Sequence, residues 1–160
     1  MPNSYKFSLL DSKPVFESKG GRVRIADASN FKATAMAAAL VEIKPGGMRE
    51  LHWHPTSAEW QYYVSGTARM GVFHGEGRHN TVIFRQSDVG YVPQPIGHYV
   101  ENVGQDTLRY LEVFTSAEYA DVSLASWIAN VPHELVATHL NIDAATLRKM
   151  TTSKTPVMPV

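Results

Sequence analysis

Between about Ala33 and Phe114 the chain alternates short apolar and aromatic segments with clusters of Gly, Pro, Asp and Asn, the punctuation of antiparallel β-structure. The predicted strands are Ala35 to Ile43, Glu59 to Val64, Ala68 to Phe73, Thr81 to Phe84, Val89 to Val92, His98 to Asn102 and Leu108 to Phe114. Lys44-Pro45-Gly46-Gly47, Ser65-Gly66, Gly75-Glu76-Gly77 and Val103-Gly104-Gln105-Asp106 supply turns between them. Many short strands at this spacing predict an all-β sandwich or barrel. After Phe114 the period lengthens. Ser123 to Asn130, Pro132 to Leu140 and Ala144 to Met150 read as helices, with Asp121 or Ser123, Asn130 and Asp143 as N-caps. The expected layout is one domain: an N-terminal arm with first strands over 1–32, a barrel core over 33–116, and a helical extension with a tail over 117–160. The first twenty or so residues and the tail Thr155-Pro-Val-Met-Pro-Val160 read as loose segments, or as arms that pack on a neighbouring subunit.

A length of 160 residues allows one sizeable core, not two comfortable ones. Lys plus Arg and Asp plus Glu number 15 each, so no basic stripe points to nucleic acid or an anionic membrane. No cysteine is present, which removes thiolates and leaves nitrogen and oxygen as the available metal donors. The segment Met1 to Leu10 has too short an apolar run for a signal peptide, and the run near Ala35 to Val41 is far shorter than the roughly 18–20 residues that cross a bilayer. A cytoplasmic protein is therefore expected, without a membrane or nucleic-acid partner.

Chemistry concentrates in His52-Trp53-His54, followed by Glu59 and later by His98. In an extended strand, side chains two apart share a face, so His52 and His54 can grip one ion. A neutral His pair at a barrel rim can equally be satisfied by hydrogen bonds. Glu59 at the start of one strand and His98 at the start of another favour the metal reading, because a barrel brings such segments together. In Leu108-Arg-Tyr-Leu-Glu-Val-Phe114, period two puts Glu112 on the face of Leu108, Tyr110 and Phe114. If that face is the interior, Glu112 is a buried carboxyl with a raised pKa, suited to proton transfer; otherwise it is an acid salt-bridged at the mouth. Arg49 has the fork to clamp a carboxylate. Strict alternation nevertheless puts Glu50, not Arg49, on the face of His52 and His54, so an interior Arg49 requires a bend after the Pro45-Gly46-Gly47 turn. Trp53, Trp60, Tyr62 and Tyr63 read as core and interface packing.

Gly46, five residues, His52-Trp-His54, four residues, Glu59, six residues and Gly66 resemble the first cupin motif; Pro93, Gly97, His98 and Asn102 resemble the second. Further stretches, among them Met48 to Pro55, Glu59 to Tyr63, Asp88 to Pro93 and Tyr119 to Leu124, are similar to the second cupin domain of the bicupin oxalate decarboxylases, from about Gly21 to the C-terminal helices. The resemblance implies a double-stranded β-helix barrel with His52, His54, Glu59 and His98 as ligands of manganese. Mixed imidazole and carboxylate donors also accept iron, zinc, nickel or copper. It further implies Arg49 in the pocket, Glu112 as a pocket acid, Tyr119 hydrogen-bonded near the site, dioxygen as co-catalyst, and a homo-oligomer. The implied activity is cleavage of a small dicarboxylate, oxalate, to formate and carbon dioxide. Two features depart from that family: one cupin is present instead of two, and Tyr119-Ala-Asp-Val-Ser123 lacks the lid glutamate, leaving Asp121 as its one carboxylate. An oxalate oxidase making hydrogen peroxide is the nearest alternative. A metal-binding barrel without turnover, or one acting on another small acid, is the alternative from a different class.

Overall fold

Pro45 and Gly46 close the turn that sends one sheet into the other. Gly47 N–H donates to the Lys44 carbonyl at 3.0 Å, and Gly46 takes φ +69°, which glycine adopts without strain. The computed structural model describes residues 5–32 and 34–160; the readings made on Met1 to Ser4 and on Ala33 lie outside the described residues. The strands are β1 (Phe16–Ser18), β2 (Gly21–Ala26), β3 (Ala37–Ile43), β4 (Gly47–Trp53), β5 (Glu59–Ser65), β6 (Thr67–Gly75), β7 (Arg78–Arg85), β8 (Val89–Val92), β9 (Gly97–Asn102), β10 (Leu108–Phe114), β11 (Val122–Ser123) and β12 (Val157–Pro159). The helices are α1 (Leu124–Asn130), α2 (His133–Leu140) and α3 (Ala144–Leu147). Two antiparallel sheets result, in the orders β1-β2-β3-β10-β5-β8 and β11-β4-β9-β6-β7, with β12 also on β4. This is the double-stranded β-helix barrel with C-terminal helices that the sequence predicts.

Alternation along β5 and β10 divides the interior into two ends. Tyr63, Leu108, Tyr110, Val41, Ile43 and Val100 are fully buried and fill one end with apolar side chains. At the other end Glu59, Gln61 and Glu112 point inward from the same two strands. Register explains the room they have: Glu112 faces Ala39 and Phe114 faces Ala37 on β3, where small side chains leave space. Gly66 takes φ +88°, and a Cβ there would lie 2.7 Å from the Leu108 Cα, so this turn admits no larger residue. Buried Asn102 ties another turn, donating to the carbonyls of Ile43 and Asp106 at 2.8 Å each and accepting from Gly104 N–H at 2.9 Å.

Several local readings change or sharpen. The segment carrying His52, read as extended, is a full strand, β4. The tail is not loose within this chain: Val157 is completely buried, and β12 pairs with Gly47–Arg49. Residues 16–18 also form a strand, registered against Gly21–Val23. Ser123 and Asp143 do cap α1 and α3, accepting from Ser126 and Thr146 N–H, but Asn130 belongs to the end of α1, where its amide donates to the Ser126 carbonyl. Pro132 occupies the N-cap of α2 without a side-chain hydrogen bond. The aromatics also divide: Tyr63 is core, whereas Trp60 and Tyr62 alternate outward and are exposed.

Candidate metal centre and its acid pocket

Period two carries His52 and His54 to the interior from β4 and the residues just after it, while β5 contributes Glu59 and β9 contributes His98. One donor atom from each of the four lies within 4.8 Å of every other. All four residues are buried. Each imidazole is oriented from behind: Nδ1 of His52, His54 and His98 lies 2.7, 2.8 and 3.1 Å from the carbonyls of Glu50, Ala120 and Ile96. A carbonyl can only accept, so each Nδ1 carries the proton and each Nε2 offers a lone pair inward. Those three Nε2 atoms and Glu59 Oε2 are buried without a hydrogen-bond partner among the described residues. Glu59 Oε2 approaches His98 Nε2 to 2.7 Å and His54 Nε2 to 3.2 Å.

Four convergent, unsatisfied donors are costly unless something binds them, and a divalent transition metal satisfies all four at once. The donor set fits such an ion: three imidazoles and one carboxylate leave octahedral positions for small ligands. The charges agree. Burial and the Arg49 cation push the His52 imidazole well below its ordinary pKa, which keeps it neutral and able to ligate. Burial works against ionisation of Glu59, yet the neighbouring His98 and His54 outweigh it and hold the carboxyl far below the usual range.

Arg49 enters the interior through the bend that alternation demands. Opposite β9, Arg49 pairs with Val100 and His52 with His98, so β4 spends one residue more than its partner. That bulge leaves Arg49 and Glu50 both buried in succession and returns His52 to the inward face. Glu50 turns aside, where the Ser123 hydroxyl donates to its carboxylate. Arg49 is completely buried, with Nε 3.9 Å from Glu112 Oε1 and Nη2 3.0 Å from the Tyr119 hydroxyl. Its Nη2 also meets Asp121 Oδ2 at 2.5 Å. Asp121 is thereby an ion-pair partner: burial would raise its pKa, but Arg49 and Lys154 lower it.

Glu112 is fully buried, and neither carboxyl oxygen has a hydrogen-bond partner among the described residues. Burial, reinforced by the Glu59 charge, pushes its pKa up to about 8 against the opposing pull of Arg49. This is the interior acid of the first alternative, not an acid salt-bridged at the mouth. All seven residues singled out in the sequence, His52, His54, Glu59, His98, Arg49, Glu112 and Tyr119, thus converge on one end of the barrel. Sequence reasoning missed Gln61, whose amide donates to Glu59 Oε1 at 2.7 Å; its place two residues after Glu59 on an alternating strand was the available signal. It also missed Lys154, which pairs with Asp121 across 33 positions and has no local signature.

Comparison with known proteins agrees with this geometry. The cupin family profile matches residues 7–148. The chain is 47% identical over 159 residues to oxalate decarboxylase of Bacillus subtilis, covering 99% of this chain and 41% of that protein. It is 40% identical over 155 residues to an oxalate decarboxylase of Arthroderma benhamiae, covering 95% and 36%. Germin-like protein 5-1 of Oryza sativa subsp. japonica is more distant, 28% identical over 135 residues, or 82% of this chain and 59% of that protein. A Bacillus subtilis oxalate decarboxylase structure concerned with its Mn(II) centres superposes with a TM-score of 0.95 at 46% identity, over 100% of this chain and 42% of that one. The same enzyme at pH 4.6 gives 0.90 at 49% identity, over 94% and 40%. The chain spans about two fifths of the decarboxylases it matches. With the profile spanning most of its residues and both motifs folded around one donor cluster, this chain belongs to the cupin family.

Proposed function

We propose that this barrel is a manganese-dependent oxalate decarboxylase site, cleaving oxalate to formate and carbon dioxide. The observation that carries the reading is Glu112: a buried carboxyl without hydrogen bonds, pushed up to about 8, beside a buried arginine and a four-donor metal cluster. A structural acid would be paired; a working acid must be free to take and return a proton near neutral pH. Similarity to oxalate decarboxylases of a bacterium and a fungus supports the substrate and the metal.

His52, His54, Glu59 and His98 would hold the ion, which supplies a Lewis acid for one carboxylate and, with dioxygen as co-catalyst, a one-electron partner. Arg49 binds the other carboxylate and neutralises it. Tyr119, donating to Asp121 at 3.3 Å and accepting from Arg49, fixes the guanidinium from the far side. The ionised form of Glu112, accessible near neutral pH because its pKa is about 8, takes the proton of hydrogen oxalate and, once carbon dioxide has left, returns it to carbon. The balance is one hydrogen oxalate to one carbon dioxide and one formate.

Asp121 favours a second reading. As the one carboxylate in Tyr119-Ala-Asp-Val-Ser123, it is engaged by Arg49 and Lys154 and does not offer a proton. If carbon must be protonated from that position, oxalate, dioxygen and two protons give two carbon dioxide and hydrogen peroxide instead, an oxalate oxidase. Manganese-reconstituted protein assayed together for formate, peroxide and carbon dioxide separates these. Formate without peroxide supports decarboxylation, and peroxide without formate supports oxidation. No consumption by protein with bound manganese rejects both and leaves a binding barrel or another acid as substrate.

Self-association and cytoplasmic residence belong to the same proposal. An apolar groove of about 500 Å³ between α1 and α2, with Trp127, Leu135 and Leu140 exposed, supports the first. A clean monomer on sizing chromatography rejects it, and recovery outside the cytoplasm on fractionation rejects the second.

A further inference from the structure

The segment that follows the helices reaches back to the substrate arginine. β12 lies antiparallel to β4 with Val157 opposite Arg49. Just before it, the Pro156 carbonyl accepts from Glu50 N–H at 3.0 Å and from Arg49 Nη1 at 3.3 Å. Two residues earlier Lys154, with its side chain about one third exposed, pairs with Asp121 Oδ1. The other oxygen of the same carboxylate is on Arg49 Nη2. Asp121 therefore bridges two cations, one sealed in the barrel and one at its rim. A cavity of about 260 Å³ reaches that rim, with Phe16, Tyr119, Asp121, Lys154 and Pro156 in its wall.

A substrate carboxylate that binds the Nη2 edge of Arg49 must displace Asp121 Oδ2. Asp121 is itself nearly buried, so separating it from Arg49 with no second cation at hand would strand a charge in a poorly solvated place, a costly act. With Lys154 on Oδ1 the displaced carboxylate keeps a partner. We propose that Lys154 is a positioning residue for anion binding: it retains Asp121 while a small dicarboxylate takes over Arg49. This rests on the reading of Arg49 as the carboxylate-binding group, and it adds a role for a side chain that does not itself touch the substrate.

The test uses the full chain loaded with manganese. Because Lys154 is partly exposed, K154M should raise KM for oxalate, and Kd where binding is measured directly, by about tenfold, with kcat within about twofold. K154R should stay within about twofold of the parent, and K154M combined with D121N should recover most of the loss, because no charge is left to strand. An unchanged KM in K154M overturns the proposal. So does a double variant as impaired as K154M alone, which would mean that the tail had merely come loose. Nitrogen-15 spectra of the Arg49 side chain in zinc-loaded protein without oxalate judge the coupling independently. A shift caused by K154M in the parent that does not recur when K154M is added to D121N supports it, and an unshifted K154M spectrum overturns it. Parent protein that neither binds nor consumes oxalate would reject the function, while those spectra would still decide the coupling.

Discussion

Gln61 Nε2 donates to Glu59 Oε1 at 2.7 Å, and the Gln61 carbonyl oxygen in turn accepts from the Tyr63 hydroxyl at 2.6 Å. This chain of two bonds runs along the inward face of one strand and fixes Glu59 so that Oε2 alone faces His54 and His98. Removing the support should loosen the ligand without deleting it. Q61A is expected to lower metal affinity by roughly 10–100-fold, read by competition against a chelator. Unchanged affinity would mean that the three imidazoles already hold Glu59 in place.

Glu112 is not among the four clustered donors. E112Q keeps the shape and removes the exchangeable proton, so turnover should fall by about 10²–10⁴ while manganese content, measured by elemental analysis, stays that of the parent. Loss of metal along with activity would refute this division of labour.

The same carboxyl makes stability depend on pH in the metal-free protein. Its pKa rises from an ordinary 4.5 to about 8 on folding, so across that range the folded state holds a proton that the unfolded chain has released. Stability from this group is fully present below about pH 4.5 and is lost as pH rises through about 8. E112Q should lack that loss, so its stability advantage over the parent should grow between pH 5 and pH 8.5 in urea titrations. A constant difference would place the Glu112 pKa near its ordinary value.

Arg49 tests the anion site. R49K keeps the charge but forfeits the fork that meets Tyr119, Asp121 and Pro156 together. Oxalate KM should rise by at least about tenfold, because one ammonium cannot replace that geometry. Metal content should not change, and steady-state kinetics beside elemental analysis checks both.

Asn102 belongs to the second motif but performs no chemistry. Its buried amide closes a turn against Ile43, Gly104 and Asp106, so N102A should cost about 2–3 kcal/mol, read by chemical denaturation, with metal affinity unaffected.

Most of the fold was legible where one face of a strand is buried. In β5 and β10 a period of two puts alternate side chains on opposite faces, which groups Glu112 with Leu108, Tyr110 and Phe114 from sequence alone; which face is the interior came from the structure. β12 was not legible: its three residues carry no alternation, and they are a strand only because β4 offers them an unpaired edge. Asn130 failed as a cap for a similar reason, since the preceding helix claimed it first.

The sequence by itself singled out the candidate donors, put Glu112 on one face with Tyr110 and Phe114, and narrowed the class to a sandwich or barrel, all from residue type and local period. The cupin resemblance implied the barrel and its four ligands. Only the tertiary structure decided where Arg49 points. The extra residue between Arg49 and His52 reverses the face that alternation assigns, and that bulge arises from pairing with β9, nearly fifty positions away. It decided equally that Asp121 is an ion-pair partner and that Lys154 holds it. Those are Coulombic contacts between distant segments, and no local pattern encodes them.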